Sequence, residues 1–169
     1  MNRCMTSPAK AIFCAFVCLG ALAGPSQAQI VALGASVVQG YGVNPGEAFP
    51  EQLAAMLRAK GKSYSVSNQG VFGDTTAGVL ARLDSAVPEG TRIVILMIGG
   101  NDIRLGKTPE EARAGVRAIV ARLEARKIRV ILAMPYYMAA RRRGMMVDRL
   151  HLNAEGQKYM AAQLARLIN

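Results

Sequence analysis

The run Arg92-Ile93-Val94-Ile95-Leu96-Met97-Ile98 leaves few folds open to this chain. After Arg92 every residue is apolar, so a strand built from this run is hydrophobic on both faces. That pattern belongs to a central parallel strand with helices packed above and below it, because an antiparallel strand with one wet face alternates instead. The flanking sequence agrees. Ile30 to Gly34 reads as a first strand, and Glu47 to Lys60 as a helix with Phe49, Leu53, Met56 and Leu57 on one face and Gly61 as its stop. Ser63 to Ser67 alternates as a short strand, and Thr75 to Ser85 reads as a second helix carrying Val79, Leu80 and Leu83. Thr108-Pro109-Glu110-Glu111 opens the longest helix, with an N-cap threonine, a first-turn proline and a capping-box glutamate. Its apolar stripe is Ala112, Val116, Ile119, Val120 and Leu123. Arg129 to Met134 follows as a strand ending before Pro135, and Asn153 caps a last helix in which Tyr159, Met160, Leu164, Leu167 and Ile168 face the sheet. Strand and helix in alternation, joined by short connections, imply an α/β fold. The expected form is a three-layer α/β/α sandwich around a mainly parallel sheet of four to five strands, with right-handed crossovers.

The first 28 residues stand apart from this pattern. Arg3 and Lys10 precede the apolar stretch Ala11 to Ala23, and Ser26-Gln27-Ala28 offers small residues at a cleavage site, so Met1 to Ala28 reads as a secretory signal peptide. Its apolar run is shorter than the ~20 residues that span a bilayer. Residues 29–169 then form a single domain, exported to the periplasm or the extracellular space. Cys4, Cys14 and Cys18 all fall in the leader, so the processed chain carries no disulfide, thiol nucleophile or cysteine metal site. Without Arg3 and Lys10, the 21 basic residues fall to 19 against 11 acidic ones, a net charge of +8. Such a chain associates weakly with anionic lipid or polysaccharide surfaces. With 5% aromatic residues and no recognisable nucleic-acid module, no specific nucleic-acid partner is expected, and a monomer is.

Chemistry collects at the carboxyl ends of parallel strands, where open α/β sheets bind their ligands. Four segments fall there: Gly34-Ala35-Ser36, Asn68 to Thr75, Gly99-Gly100-Asn101-Asp102, and Asp148 to His151. A strand ending in Gly-x-Ser turns sharply and exposes the hydroxyl, which makes Ser36 the candidate nucleophile. A serine needs a base, and His151 is the one histidine of the chain. Attack on an ester passes through a tetrahedral oxyanion. The backbone N–H groups of Ser36 and Gly73 and the side-chain amide of Asn101 can converge on it. Asp74 and Asp102 read as loop braces. One histidine and no cysteine in the processed chain exclude a conventional metal site, and no cofactor is expected.

In these blocks the sequence resembles the SGNH hydrolases, the GDSL-type esterases and lipases with their flavodoxin-like fold. Ser36, Gly73, Asn101 and His151 stand in the family's order, and the likeness extends through Gln39-Gly40-Tyr41-Gly42, Gly73-Asp74-Thr75-Thr76 and Asn153-Ala154-Glu155-Gly156. It is greatest to the thioesterase and lysophospholipase branch, in a shortened form. The resemblance implies that Ser36 attacks, His151 relays the proton, Asp148 orients the imidazole, and Ser36, Gly73 and Asn101 form the oxyanion hole. It implies a small-molecule ester or lipid-like substrate. Alternatives are an O-acetyl esterase acting on envelope or extracellular polysaccharide, and a degenerate relative that binds anionic glycan or lipid without turnover.

Two departures from the family pattern carry expectations. Gly34-Ala35-Ser36-Val37 replaces Gly-Asp-Ser-Leu, which removes the aspartate that braces the nucleophile loop and predicts a less rigid one. Only Tyr136 to Val147 separate Pro135 from Asp148, where relatives carry a further helix and strand, so the fifth strand is in doubt and the Asp148–His151 loop is expected to be poorly held. The segment Tyr136 to Met146 has two readings. Its tyrosines and methionines line an acyl site while Arg141 to Arg143 meet an anionic group, or it covers the sheet edge left by the absent strand.

Overall fold

A computed structural model of the chain describes residues 29–168, and the expected signal peptide and all three cysteines lie outside them. Four parallel strands form one sheet in the order β2-β1-β3-β4: β1 (Ile30–Gly34), β2 (Val66–Gly70), β3 (Ile93–Met97) and β4 (Arg129–Leu132). The register aligns Gly34 with Gly70 and with Met97, and Leu96 with Leu132, so the carboxyl ends form one level edge.

The alternating faces of the apolar strands feed two cores, as the sequence of β3 requires. Ile30, Ala32, Ile93, Ile95 and Ile131 pack against α1 (Ser36–Gln39), α2 (Phe49–Ala59), α7 (Met134–Arg142) and α8 (Ala154–Ala165). Val31, Leu33, Val94, Leu96 and Ile98 face the opposite layer, formed by α3 (Thr76–Ala81), α4 (Leu83–Ala86) and α6 (Pro109–Ala125). The single-turn α5 (Gly100–Arg104) lies at the carboxyl edge. The result is the expected three-layer α/β/α sandwich, with four strands. The capping box that opens α6 is present in both halves, and Asn153 caps α8 through the Gly156 N–H.

Four details differ from the sequence reading. β2 begins at Val66 rather than Ser63 and takes in Asn68, Gln69 and Gly70. Pairing to β1 sets its register, and an edge strand tolerates polar residues that a buried one would not. The helix expected over Thr75–Ser85 is divided at Arg82, whose side chain reaches back to the strand ends. β4 stops at Leu132, two residues before the expected Met134. Finally, the segment in which the sequence puts a fifth strand in doubt contains a helix, α7, which Pro135 opens in its first turn. A fifth strand is absent among the described residues, and β4 has β3 as its one neighbour. The exposed edge is not covered by α7, which packs on α8 and leaves Leu132 48% exposed.

Candidate active site

Ser36 is the first residue of α1, directly beyond the end of β1. The turn into it is tight enough that a Cβ at Gly34 would collide with the Met97 carbonyl of the neighbouring strand, which explains the glycine. As the first helical residue, Ser36 has no intrahelical acceptor for its N–H. Val37 and Val38 are buried beneath it and fix the turn to the core.

Two ties replace the aspartate absent at position 35. Arg82 donates through Nη2 to the carbonyls of Gln69 (2.9 Å) and Gly34 (3.3 Å), and through Nε to Asp74 Oδ2 at 2.9 Å. It thereby joins the ends of β1 and β2 to the loop that carries Gly73. From the other side, fully buried Gln157 of α8 donates to the Val37 carbonyl at 3.0 Å and accepts the Phe49 N–H at 2.9 Å. The second bond caps α2, whose N-cap residue Ala48 has no side chain able to do so. The less rigid loop expected from Ala35 is therefore held by residues from elsewhere in the chain.

His151 Nε2 lies 3.0 Å from Ser36 Oγ, and its Nδ1 lies 2.7 Å from Asp148 Oδ2. Because a carboxylate only accepts, Nδ1 carries the ring proton and Nε2 is free to accept from the serine hydroxyl. Asp148 also accepts the N–H groups of Leu150 (2.6 Å) and His151 (2.7 Å) on its other oxygen. The His151 ring foremost, then these two N–H groups, hold the Asp148 carboxyl down to about 2, below its ordinary range.

The loop bearing Asp148 and His151 is well held, contrary to the sequence expectation. Met146 bridges Leu152 antiparallel, with Val147 donating to the His151 carbonyl at 2.9 Å and Asn153 to that of Met145 at 3.2 Å. Tyr137 Oη of α7 donates to the Leu150 carbonyl at 2.8 Å, and Leu152 is fully buried. A small hairpin anchored by α7 does the work expected of a strand. The Tyr41 ring rests against the imidazole with centroids 4.5 Å apart, and Phe72 packs on Tyr41 at 5.1 Å.

Ser36, Gly73, Asn101 and His151 line one recess of about 290 Å³. Asn101 Nδ2 donates one hydrogen to the Asp74 carbonyl at 2.9 Å, which orients the amide. Gly73 adopts φ +76°, a left-handed conformation that other residues take at a cost, and a Cβ there would meet nothing within 4 Å. Conformation therefore explains this glycine. Neither Asp74 nor Asp102 touches Ser36 or His151. Asp102 is buried, accepts from the Thr76 N–H (2.9 Å) and hydroxyl (2.6 Å), and pairs with Lys107 at 2.8 Å. Burial alone would raise its carboxyl, but Lys107 and the two Thr76 donors together outweigh it and leave the group below its ordinary value.

Beside Ser36 a largely apolar chamber of about 300 Å³ is lined by Met97, Ile98, Ile103, Met134 and Tyr137, with Arg104 and Arg141 among its walls. Of the two roles the sequence left open for residues 136–146, the structure matches the first in part and leaves the sheet edge uncovered. Tyr137 and Arg141 face the chamber, whereas Tyr136, Met145 and Met146 pack on the core shared with α8, and Arg143 lies over the Tyr159 ring. Among the described residues no group of three side chains suited to a metal ion occurs. The sequence reading missed Arg82 and Gln157, whose partners lie far along the chain. Tyr41, in the stretch Gln39 to Gly42, carries no role that the sequence reveals.

Comparison with known proteins gives the family. The GDSL-like Lipase/Acylhydrolase family matches residues 32–144, a span that includes Ser36, Gly73 and Asn101 and ends ahead of Asp148 and His151. Esterase TesA of Pseudomonas aeruginosa is 28% identical over 104 residues, 61% of this chain and 52% of that protein. An arylesterase of Vibrio mimicus is 29% identical over 107 residues, 63% of this chain and 53% of the relative. The chain thus spans about half the length of these two relatives. The crystal structure of AlinE4, an SGNH-hydrolase family esterase, superposes with a TM-score of 0.58 at 36% identity, covering 64% of this chain and 60% of that one. With well over half of its length matched, the chain belongs to the GDSL-like lipase/acylhydrolase family.

Proposed function

We propose that this protein is a serine hydrolase that cleaves carboxylic esters or thioesters through an acyl-enzyme on Ser36. The observation that carries the reading is the unbroken chain Ser36 Oγ, His151 Nε2 and Nδ1, Asp148 Oδ2, at 3.0 and 2.7 Å. In the first half-reaction Ser36 Oγ bonds to the substrate acyl carbon while its proton passes to His151 Nε2. The carbonyl π electrons move to oxygen, facing the Ser36 and Gly73 N–H groups and the remaining Asn101 amide hydrogen. The carbon–oxygen or carbon–sulfur bond to the leaving group then breaks, and His151 returns the proton to that group. Water repeats the sequence: its proton goes to His151, its oxygen bonds to the acyl carbon, and Ser36 leaves with the proton. Asp148 stays ionised and stabilises the imidazolium formed in each half.

The apolar lining of the chamber supports an acyl group larger than acetyl and so disfavours the polysaccharide O-acetyl reading. The assembled Ser36–His151–Asp148 chain disfavours a binding protein without turnover. Arg104 and Arg141 give the chamber mouth a positive field, which supports weak association with anionic lipid or polysaccharide. Export through the leader, with a periplasmic or extracellular monomer as the product, completes the proposal; cell fractionation and light scattering test those parts. The decisive experiment is hydrolysis of p-nitrophenyl esters beside Ser36→Ala and His151→Ala, with a fluorophosphonate probe as the covalent readout. Wild-type turnover lost in both variants, with Ser36 labelled, is the expected result. A folded wild-type protein as inert as its variants would sink the proposal.

A further inference from the structure

Exposed hydrophobic side chains are gathered on one side of this protein. Among the described residues, every exposed large hydrophobic lies at the carboxyl end of a strand or in the segment that follows it, and none lies on α2, α6 or α8. Phe72 (59% exposed), Leu105 (74% exposed) and Leu150 line the recess at Ser36, and Tyr41 packs on Phe72. Val147 lies over Gly42, where a Cβ would meet its side chain. These residues come from four separate segments and converge only in the folded edge. Exposed apolar patches rimmed by polar groups mark surfaces that meet another molecule or a membrane. The same edge is positive. Arg104 stands in the recess wall beside Leu105, Arg141 in the chamber wall, and Arg149 directly before Leu150. The carboxylates nearby are already matched, Asp74 with Arg82, Asp102 with Lys107 and Asp148 with His151. No carboxylate among the described residues pairs with Arg104, Arg141 or Arg149.

We infer that this edge is a docking face for an anionic phospholipid bilayer, with Phe72, Leu105 and Leu150 dipping into the interfacial layer and Arg104, Arg141 and Arg149 on lipid phosphates. The inference goes beyond the esterase reading, and it deepens the weak surface association proposed above by naming the face and choosing the lipid. Contact is peripheral, because among the described residues no helix is long and apolar enough to cross a membrane. Stable attachment of that kind takes two signals, and this face supplies both: charge that draws the protein to the surface, and apolar side chains that anchor it. An acidic polysaccharide would satisfy the arginines and leave the apolar tips without a partner. A second copy of the chain, joined through the same face by a two-fold axis, would bring like charges together across the interface. A bilayer offers phosphates and hydrocarbon at adjacent depths, which matches arginines set between exposed apolar side chains.

The chain contains no tryptophan, so Leu105→Trp supplies a single reporter at the mouth of the recess. In the exported Ser36→Ala protein, which removes the nucleophile, its emission should shift to the blue on vesicles of phosphatidylcholine mixed with phosphatidylglycerol, and brominated acyl chains should quench it. Binding to phosphatidylcholine alone should be at least about tenfold weaker. One basic residue near an anionic surface contributes about fivefold, so Arg104→Gln with Arg149→Gln should weaken cosedimentation with the mixed vesicles roughly twentyfold. Arg58→Gln with Arg166→Gln removes the same charge from the carboxyl ends of α2 and α8, at the far edge of the sheet, and should change binding by less than about threefold. Phe72→Ser with Leu105→Ser, both at exposed positions, should weaken binding about tenfold, with calorimetry as the check on folding. High salt should weaken the association and not abolish it, because the apolar anchors are not screened. Absence of binding to the mixed vesicles would overturn the inference, as would binding that neither pair of mouth substitutions alters. Association with dextran sulfate but not with vesicles would give the face to a polysaccharide, and a dimer that Phe72→Ser with Leu105→Ser dissociates would give it to a second copy; either result overturns the bilayer. Absence of all ester turnover in the wild type with vesicle binding intact would refute the esterase reading and leave the docking face standing.

Discussion

Replacing Gln157 by methionine keeps the volume of the side chain and deletes two hydrogen bonds that span 108 and 120 residues of sequence. The Phe49 N–H belongs to the first turn of α2, where no intrahelical acceptor exists, and the Val37 carbonyl stands one residue after Ser36. Neither group gains water in exchange, since Val37 is 8% exposed and Phe49 and Gln157 are fully buried. An orphaned buried backbone group costs about 1–3 kcal/mol, so the pair costs roughly 2–6 kcal/mol. For a domain of this size a loss of 1 kcal/mol lowers Tm by about 3 °C, which gives an expected drop of roughly 6–18 °C by calorimetry. The released α1 turn also carries Ser36, and a displacement near 1 Å reduces rate by about a hundredfold, so kcat should fall well before the protein unfolds while KM changes little. Gln157→Glu separates the two bonds, because a carboxylate still accepts from Phe49 but faces the Val37 carbonyl with no donor. It should be destabilised too, and more at neutral pH than in acid, where protonation restores the donor. A Gln157→Met protein within about 2 °C of wild type, with unchanged kcat, would refute the claim that this side chain holds α1 and α2 together.

Asp148→Asn puts an amide where the His151 Nδ1–H needs an acceptor, which favours the wrong tautomer and should lower kcat roughly a thousandfold in steady-state assays, with folding intact. Since the Asp148 carboxyl is held down to about 2, the carboxylate persists until the pH falls that far, and an activity limb near pH 4 that disappears in Asp148→Asn would contradict this assignment. The Asp102 carboxyl lies below its ordinary value in the folded state, so the unfolded chain takes up the proton first as the pH drops. The stability it contributes is full above the unfolded value and is lost on acidification. Asp102→Asn should therefore cost about 2 kcal/mol at pH 7, by urea unfolding, with a gap to wild type that narrows as the pH falls below the ordinary carboxylate range. Arg82→Met removes the tie between the β1 and β2 ends and leaves the Asp74 carboxylate, 9% exposed, without its cation. The expected cost is about 2–3 kcal/mol, less than for a fully buried pair because Arg82 is partly exposed, with a tenfold to hundredfold fall in kcat/KM.

The layers, and the edge on which chemistry gathers, follow from the order of residues along the chain. A strand apolar on both faces has to be covered twice, and β3 together with the capped, striped helices α6 and α8 left little freedom in that. Local signals also marked Ser36, Gly73, Asn101 and His151 as candidates, because a Gly-x-Ser turn, a glycine and an asparagine beyond strand ends, and a lone histidine can be read along the chain, while the role of Asp148 came from the family resemblance. How those candidates are held depends on contacts between distant parts of the chain. The register of β2 came from pairing with β1, since its own alternation pointed three residues upstream. The tie between Gln157 and residues 37 and 49, and that between Arg82 and the carbonyls at 34 and 69, join positions too far apart for any local pattern to reveal. The hairpin that replaces a fifth strand depends on Tyr137 reaching Leu150 across the turn after α7. Periodicity and capping act within a few residues and can be read along the chain, whereas satisfying a buried carbonyl depends on which distant groups the packed layers bring within 3 Å.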